Sequence, residues 1–204
     1  MSHLKKIVLT IGREFGSGGR EIAVSLAEKL HIEYYDSSLI DMAAERGGLD
    51  VDELREADEK KGSFWFYSIP VDENSVSIYD RPMDEVLFNL QSKIIMELAD
   101  MGACIIVGRC GDFVLQDIPD VYSIFIYSSL KTRVERIMNK YSLTEKDAEA
   151  MLRKTSRDRD SYYQKFTKRD REDKNNYHLM LDSGKLGIDK TVEILENFYR
   201  TLSK

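Results

Sequence analysis

Short apolar runs alternate with longer amphipathic segments along this chain, and that order leaves few folds open. Residues 5–11, 103–107 and 121–127 are rich in apolar side chains without strict alternation and read as strands buried on both faces of a parallel sheet. Two shorter runs, 33–35 and 177–181, read as further strands. Between them, residues 20–30 place Ile22, Ala23, Leu26, Ala27 and Leu30 on one helical face. A long helix is predicted from Pro82 to about residue 101, with Val86, Leu87, Leu90, Ile94, Ile95 and Leu98 in phase. Further helices are expected at 37–45, 50–60, 130–140, 144–166 and 189–202. Long crossovers between apolar strands require an α/β fold: a parallel sheet covered by helices on both faces. Residues 46–80 and 142–174 read as insertions mounted on that core. At 204 residues the chain is expected to form one domain.

The sharpest local feature is "GREFGSGGRE", residues 12–21, set between the first strand and the first helix. A glycine loop there presents backbone N–H groups to an anion, and the positive end of the helix dipole adds to the attraction. The phosphate-loop pattern GxxxxGK[ST] is nevertheless not met. With its last glycine at Gly18, Gly19 stands at the lysine position and Arg20 at the hydroxyl position. Arg20 is the first candidate for the missing charge, since guanidinium binds phosphate oxygens well, and Arg13 is another. Gly16, Ser17, Gly18 and Gly19 would form the phosphate cradle. Glu21 could hold Mg²⁺, directly or through water, in place of the hydroxyl. The bland alternative is a tight turn followed by a solvated first helical turn.

Composition narrows the partners. A charged fraction of 32%, an apolar fraction of 42% and a net charge of -6 describe a globular chain with no bias toward nucleic acid or membrane surfaces. Cys104 and Cys110 match no metal or redox spacing and are expected as reduced packing residues. No apolar run approaches about 18 residues and no signal-peptide pattern precedes the first strand, so a cytoplasmic location is expected.

Several separated segments resemble the cytidylate kinase-like family, relatives of the bacterial nucleoside monophosphate kinases. They are "TIGREFGSGGREIAVSLAEKL" (10–30), "YYDSSLI" (34–40), "IIVGRCGDFVL" (105–115), "YYQKF" (162–166) and "NYHLMLDSGKLGID" (176–189), in the expected order across nearly the whole chain. The resemblance implies a three-layer P-loop kinase fold with a helical lid carrying arginines. It also implies phosphoryl transfer from ATP, with Mg²⁺, to a nucleoside monophosphate. Against true cytidylate kinases the chain departs in three places. Gly19 replaces the loop lysine, Cys110 replaces an acidic residue after Arg109, and residues 47–79 do not resemble their acceptor-binding insertion.

Three further groups complete the expected site. Arg109 and Asp36 follow strands at the sheet edge where ligands of open α/β sheets bind, and would contact the acceptor. Asp36 could equally cap the helix after it. The basic stretch 153–171 offers Arg153, Arg157, Arg159, Arg169 and Arg171, of which Arg157 and Arg159 are the expected lid arginines on the transferred phosphoryl group. The aromatic residues Phe64, Trp65, Phe66 and Tyr67 could stack a base or pack in a core or interface, and are compatible with a homo-oligomer. The expected function is ATP-dependent phosphorylation of a pyrimidine nucleoside monophosphate, with Arg20, Arg157 and Arg159 catalytic. The alternatives are a non-catalytic nucleotide-binding protein and a kinase for a non-nucleotide small molecule.

Overall fold

Five parallel strands form the centre of the computed structural model, which describes residues 6–36 and 83–203. In chain order the elements are β1 (Val8–Arg13), α1 (Gly19–Leu30), β2 (Glu33–Tyr35), α2 (Met83–Met101), β3 (Cys104–Val107) and α3 (Gly111–Val114). There follow β4 (Val121–Tyr127), α4 (Leu130–Tyr141), α5 (Glu145–Thr167), β5 (Leu179–Asp182), α6 (Ser183–Leu186) and α7 (Ile188–Leu202). The strand order is β2-β3-β1-β4-β5, with β1 paired to both β3 and β4. The helices expected at 37–45 and 50–60, the aromatic segment 63–79, the insertion at 46–80 and the Pro82 helix start lie outside the described residues.

The apolar strands are buried as their pattern requires. Leu9 and Ile11 of β1, with Ile105, Val107, Ile124 and Ile126, pack against Ile22 and Leu26 of α1 and Val192 and Leu195 of α7. The opposite face, through Val8, Cys104 and Ile106, packs against Ile94, Ile95 and Leu98 of α2. Each fully buried Leu or Ile contributes about 1.5–3 kcal/mol, so the two apolar layers hold β1 rigidly in the middle of the sheet. A separate small core joins α4 to α5 through Val134, Ile137, Ala148 and Leu152, with Phe15 of the glycine loop packed against it. Ser129 caps α4 and Thr144 caps α5, each accepting a backbone N–H three residues on.

Two of the strand boundaries that differ from expectation bear on the site. β1 runs on to Arg13, because Gly12 and Arg13 stay paired with Phe125 and Ile126 of β4 after the β3 pairing has ended at Val107. β5 starts at Leu179 and not at 177: the Tyr177 ring turns over Gly12 and lies 4.9 Å from the Phe125 ring, and its hydroxyl donates to the Arg171 carbonyl at 2.6 Å.

Candidate active site

The carboxyl ends of β1, β2 and β3 open into one cavity of about 1410 Å³, roofed by α4 and α5. Its floor is the glycine loop. Gly16 and Gly18 have φ of 84° and 79°, left-handed conformations that glycine adopts without steric cost. Gly18 stands at the N-cap of α1 and no side chain caps the helix, so the first-turn amides face the loop. Ser17 is buried; its hydroxyl donates to the Glu14 carbonyl at 2.9 Å, and its own carbonyl accepts from Ser183 at 2.6 Å. Ser17 therefore shapes the loop through its hydroxyl, leaving only backbone for a ligand.

Glu14 fixes the loop to the rest of the sheet. One carboxylate oxygen accepts the Ser128 N–H at 2.8 Å, and the other lies 3.2 Å from Arg133 Nη2. Arg133 also donates from Nε to the Ser128 carbonyl at 3.1 Å. Phe15 then inserts toward the α4–α5 core with the Arg159 guanidinium 5.4 Å from its ring centre.

Arginines dominate the cavity electrostatics. The Arg13 carbonyl accepts from Arg159 Nη1 at 3.2 Å and from Arg171 Nη1 at 3.1 Å. The Arg13 side chain lies 3.6 Å from Asp36 Oδ1. Burial, then the charges of Arg13 and Arg171, push Arg159 down to about 9, still charged at neutral pH. Burial likewise lowers Arg13; Asp36 opposes that shift, and Arg109 and Arg171 add to it. Arg109 reaches the cavity from a turn in which Gly108, Arg109 and Cys110 all have positive φ, of 77°, 52° and 54°. Left-handed backbone at two non-glycine residues costs about 1–3 kcal/mol each. Such concentrated positive charge, held by strain and by backbone carbonyls, suits a polyanion.

Asp36 is the acidic centre of this array. Its Oδ2 accepts from the Tyr34 hydroxyl at 3.1 Å and from Arg20 Nε at 3.0 Å. Arg20 is raised by its contacts to Tyr34 and Asp36. Its side chain is 66% exposed and is directed to Asp36 and Tyr34 at the β2 edge. Glu21 lines the cavity mouth, where its carboxylate meets Arg136 Nη1 at 3.1 Å. Across the cavity, Tyr163 donates to Asp112 Oδ2 at 2.5 Å, and burial raises the Asp112 carboxyl. Both cysteines are buried and free, with their thiols raised by burial, Cys104 to about 11.

Of the expected site residues, the structure gathers Arg13, Gly16, Gly18, Gly19, Arg20, Glu21, Asp36, Arg109 and Arg159 around one cavity. Arg157 does not join them. It lies on the exposed side of α5, with Nε donating to the Arg153 carbonyl at 3.3 Å. The helix presents Met151, Thr155, Arg159 and Tyr163 to the cavity, each four residues on, and Arg157 is two residues out of that phase. Arg171, Arg136, Glu14 and the Asp112–Tyr163 pair were missing from the expected set. The phase of α5, set by buried Ala148 and Leu152, was a usable signal for Tyr163.

The profile of the cytidylate kinase-like family matches residues 8–185, a span that includes every cavity residue discussed above. The chain belongs to the cytidylate kinase-like family. None of the curated protein sequences matches it. Among solved structures, a protein of Eubacterium ventriosum is 25% identical over 96% of this chain and 99% of its own, with a TM-score of 0.73. A shikimate kinase from Bacteroides thetaiotaomicron is 12% identical, covering 96% of this chain and 99% of its own, with a TM-score of 0.56. A gluconokinase from Sinorhizobium meliloti is 12% identical, covering 97% and 94%, with a TM-score of 0.54. The two kinases share the fold of this family member, a P-loop α/β sheet.

Proposed function

We propose that this protein transfers the γ-phosphoryl group of ATP to a small anionic acceptor, most simply a pyrimidine nucleoside monophosphate. The observation that carries the reading is the arginine cluster: Arg13, Arg109, Arg159 and Arg171 face one cavity over a glycine loop. Phosphoryl transfer needs positioning and positive charge more than covalent chemistry. The loop amides and the start of α1 would hold the donor phosphates. Arg109, at the β3 edge, would hold the acceptor phosphate, and Arg159 would reach the migrating group from α5.

Mg²⁺ belongs to the reading, since such sites hold the ion through one or two carboxylates together with substrate phosphates. Among the described residues no three His, Cys, Asp or Glu side chains form a metal cage. Glu21, exposed at the loop end, fits an ion that arrives with the nucleotide and is contacted through water. Bound there, Mg²⁺ would neutralise charge on the donor phosphates. Residues 142–174 would act as the lid and 46–80 as the acceptor-side insertion of a single domain.

One observation favours a second reading, transfer to the hydroxyl of a non-nucleotide molecule. Asp36 is a carboxylate at the strand edge, oriented by Tyr34 and two arginines, and is suited to bind or deprotonate a hydroxyl. Coupled ADP release decides between them, with CMP, UMP, dCMP and AMP against a panel of sugar acids and polyols. The first reading expects turnover with a monophosphate. Turnover confined to the hydroxyl panel would replace it with the second, and no turnover with any acceptor at high enzyme concentration would sink both.

A further inference from the structure

The lysine of an ordinary phosphate loop has no room in this chain, and the obstacle identifies its substitute. Gly19 opens α1 and is not among the residues with positive φ, so its backbone would accept any side chain. What excludes one is space. A Cβ at Gly19 would lie 2.7 Å from Arg13 Cβ and 3.1 Å from Arg13 Cγ, with Ile126 Cβ at 3.3 Å. Those atoms are the root of the Arg13 side chain. They cannot swing aside, because Arg13 is still a paired strand residue in register with Ile126. The tip of the same side chain lies against a second glycine, Gly108, whose left-handed φ of 77° favours glycine on its own account. Two glycines thus border one slot for Arg13, running from the start of α1 to the end of β3 across the cavity floor.

We propose that Arg13 is the phosphate-binding cation of this loop, standing in for the lysine but delivered from the last residue of β1 instead of the first turn of α1. The assignment rests on the phosphoryl-transfer reading and is preferred to Arg20, whose side chain is 66% exposed where that of Arg13 is 19% exposed. The Arg13 slot joins the two sides of the cavity. Its root lies beneath the glycine loop, and its guanidinium sits between Gly108 and Asp36, on the acceptor side. During transfer the acceptor oxygen bonds to the γ-phosphorus as the bond from phosphorus to the β–γ bridging oxygen breaks. ADP leaves with that electron pair, and a proton on the acceptor oxygen passes to solvent. Arg13 keeps its own proton throughout and bridges the oxygens on which charge collects. A guanidinium does this with two parallel N–H donors where an ammonium offers a point charge. Bordered by Arg109, Arg159 and Arg171, it has among the described residues one acidic partner within ion-pair range, Asp36, so an arriving phosphate relieves repulsion as well as binding.

The test uses the full chain and two probes, inorganic tripolyphosphate and the Mg²⁺ complex of β,γ-imido-ATP, by calorimetry, with thermal unfolding alongside. Arg13→Met keeps the stem and removes the charge, and should weaken both probes about ten- to hundred-fold. Arg20→Ala should change tripolyphosphate affinity less than about threefold. Gly19→Lys should lower the melting temperature in the native background, and by less in Arg13→Gly, which removes both the Cβ and the Cγ that lie against position 19. Undiminished probe binding by Arg13→Met would overturn the assignment alone. So would a Gly19→Lys chain as stable as the native one. Failure of the native chain to bind either probe would overturn the kinase reading and the assignment with it.

Discussion

Replacing Glu14 by alanine should unfold the protein early, and the size of the effect follows from its contacts. Both members of the Glu14–Arg133 pair are largely buried, with side chains 12% and 14% exposed. Breaking a buried pair costs about 3–5 kcal/mol, because the partner is left as an uncompensated charge. Arg133 keeps its Nε bond to the Ser128 carbonyl, which places the loss at the lower end. The Ser128 N–H loses its acceptor as well. A net loss of about 3 kcal/mol corresponds to a drop of about 6–12 °C in Tm for a chain of this size. Glu14→Gln retains an acceptor for Ser128 and should fall between the two. The assay is thermal unfolding by circular dichroism, with a Glu14/Arg133 double-mutant cycle to isolate the pair. If Glu14→Ala melted within about 1 °C of the native chain, the reasoning would be refuted. The loop would then owe its shape to Ser17 and the glycines alone.

Other expectations follow from the same geometry. Arg159→Ala should weaken tripolyphosphate binding about tenfold, whereas Arg157→Ala, on the exposed side of α5, should leave binding unchanged and stability within about 0.5 kcal/mol; equal effects would place the cavity face of α5 wrongly. Asp112 gives a pH dependence. Burial raises its folded pKa over the opposing effects of the Tyr163 hydroxyl and Arg169, so the stability it contributes is present at low pH and lost as pH rises through that raised value. Asp112→Asn, still able to accept from Tyr163, should therefore gain Tm relative to the native chain as pH rises above the ordinary carboxylate range, and a flat or falling difference would contradict the assignment.

How far the sequence could be read depended on how each residue's role was set. Strands and helices with a clear period, such as 121–127 and 20–30, were legible because burial on both faces or on one stripe demands that pattern. The four-residue helices α3 and α6 were not, since a single turn carries no period. Arg13 looked like loop because a charged residue after a glycine interrupts an apolar run. Its strand pairing is supplied by β4, more than a hundred residues away. Arg171 was visible only as one basic residue in a mixed-charge stretch. Its burial comes from Asp160, Glu172, the Phe125 ring and the Arg13 carbonyl, contacts that no local pattern encodes. Gly19 misled in another way. An absent lysine reads as a lost function until the space beside it is known to be filled.

That filled space also explains why the arginine cluster can be dissected. Arg159 and Arg171 are tied to the carbonyl of Arg13, not to its side chain. Any substitution at position 13 leaves that carbonyl in place, because β1 pairing with β4 holds it. Removing the Arg13 guanidinium therefore subtracts one charge without releasing the other two from their anchors. The two neighbours should then hold their positions with less repulsion between cations. Loss of Arg13 also takes one of two arginine partners from the Asp36 carboxylate, which offsets the gain from lower repulsion, so a weakened hold on phosphate with Arg159 and Arg171 still anchored is the change that marks Arg13 as a ligand.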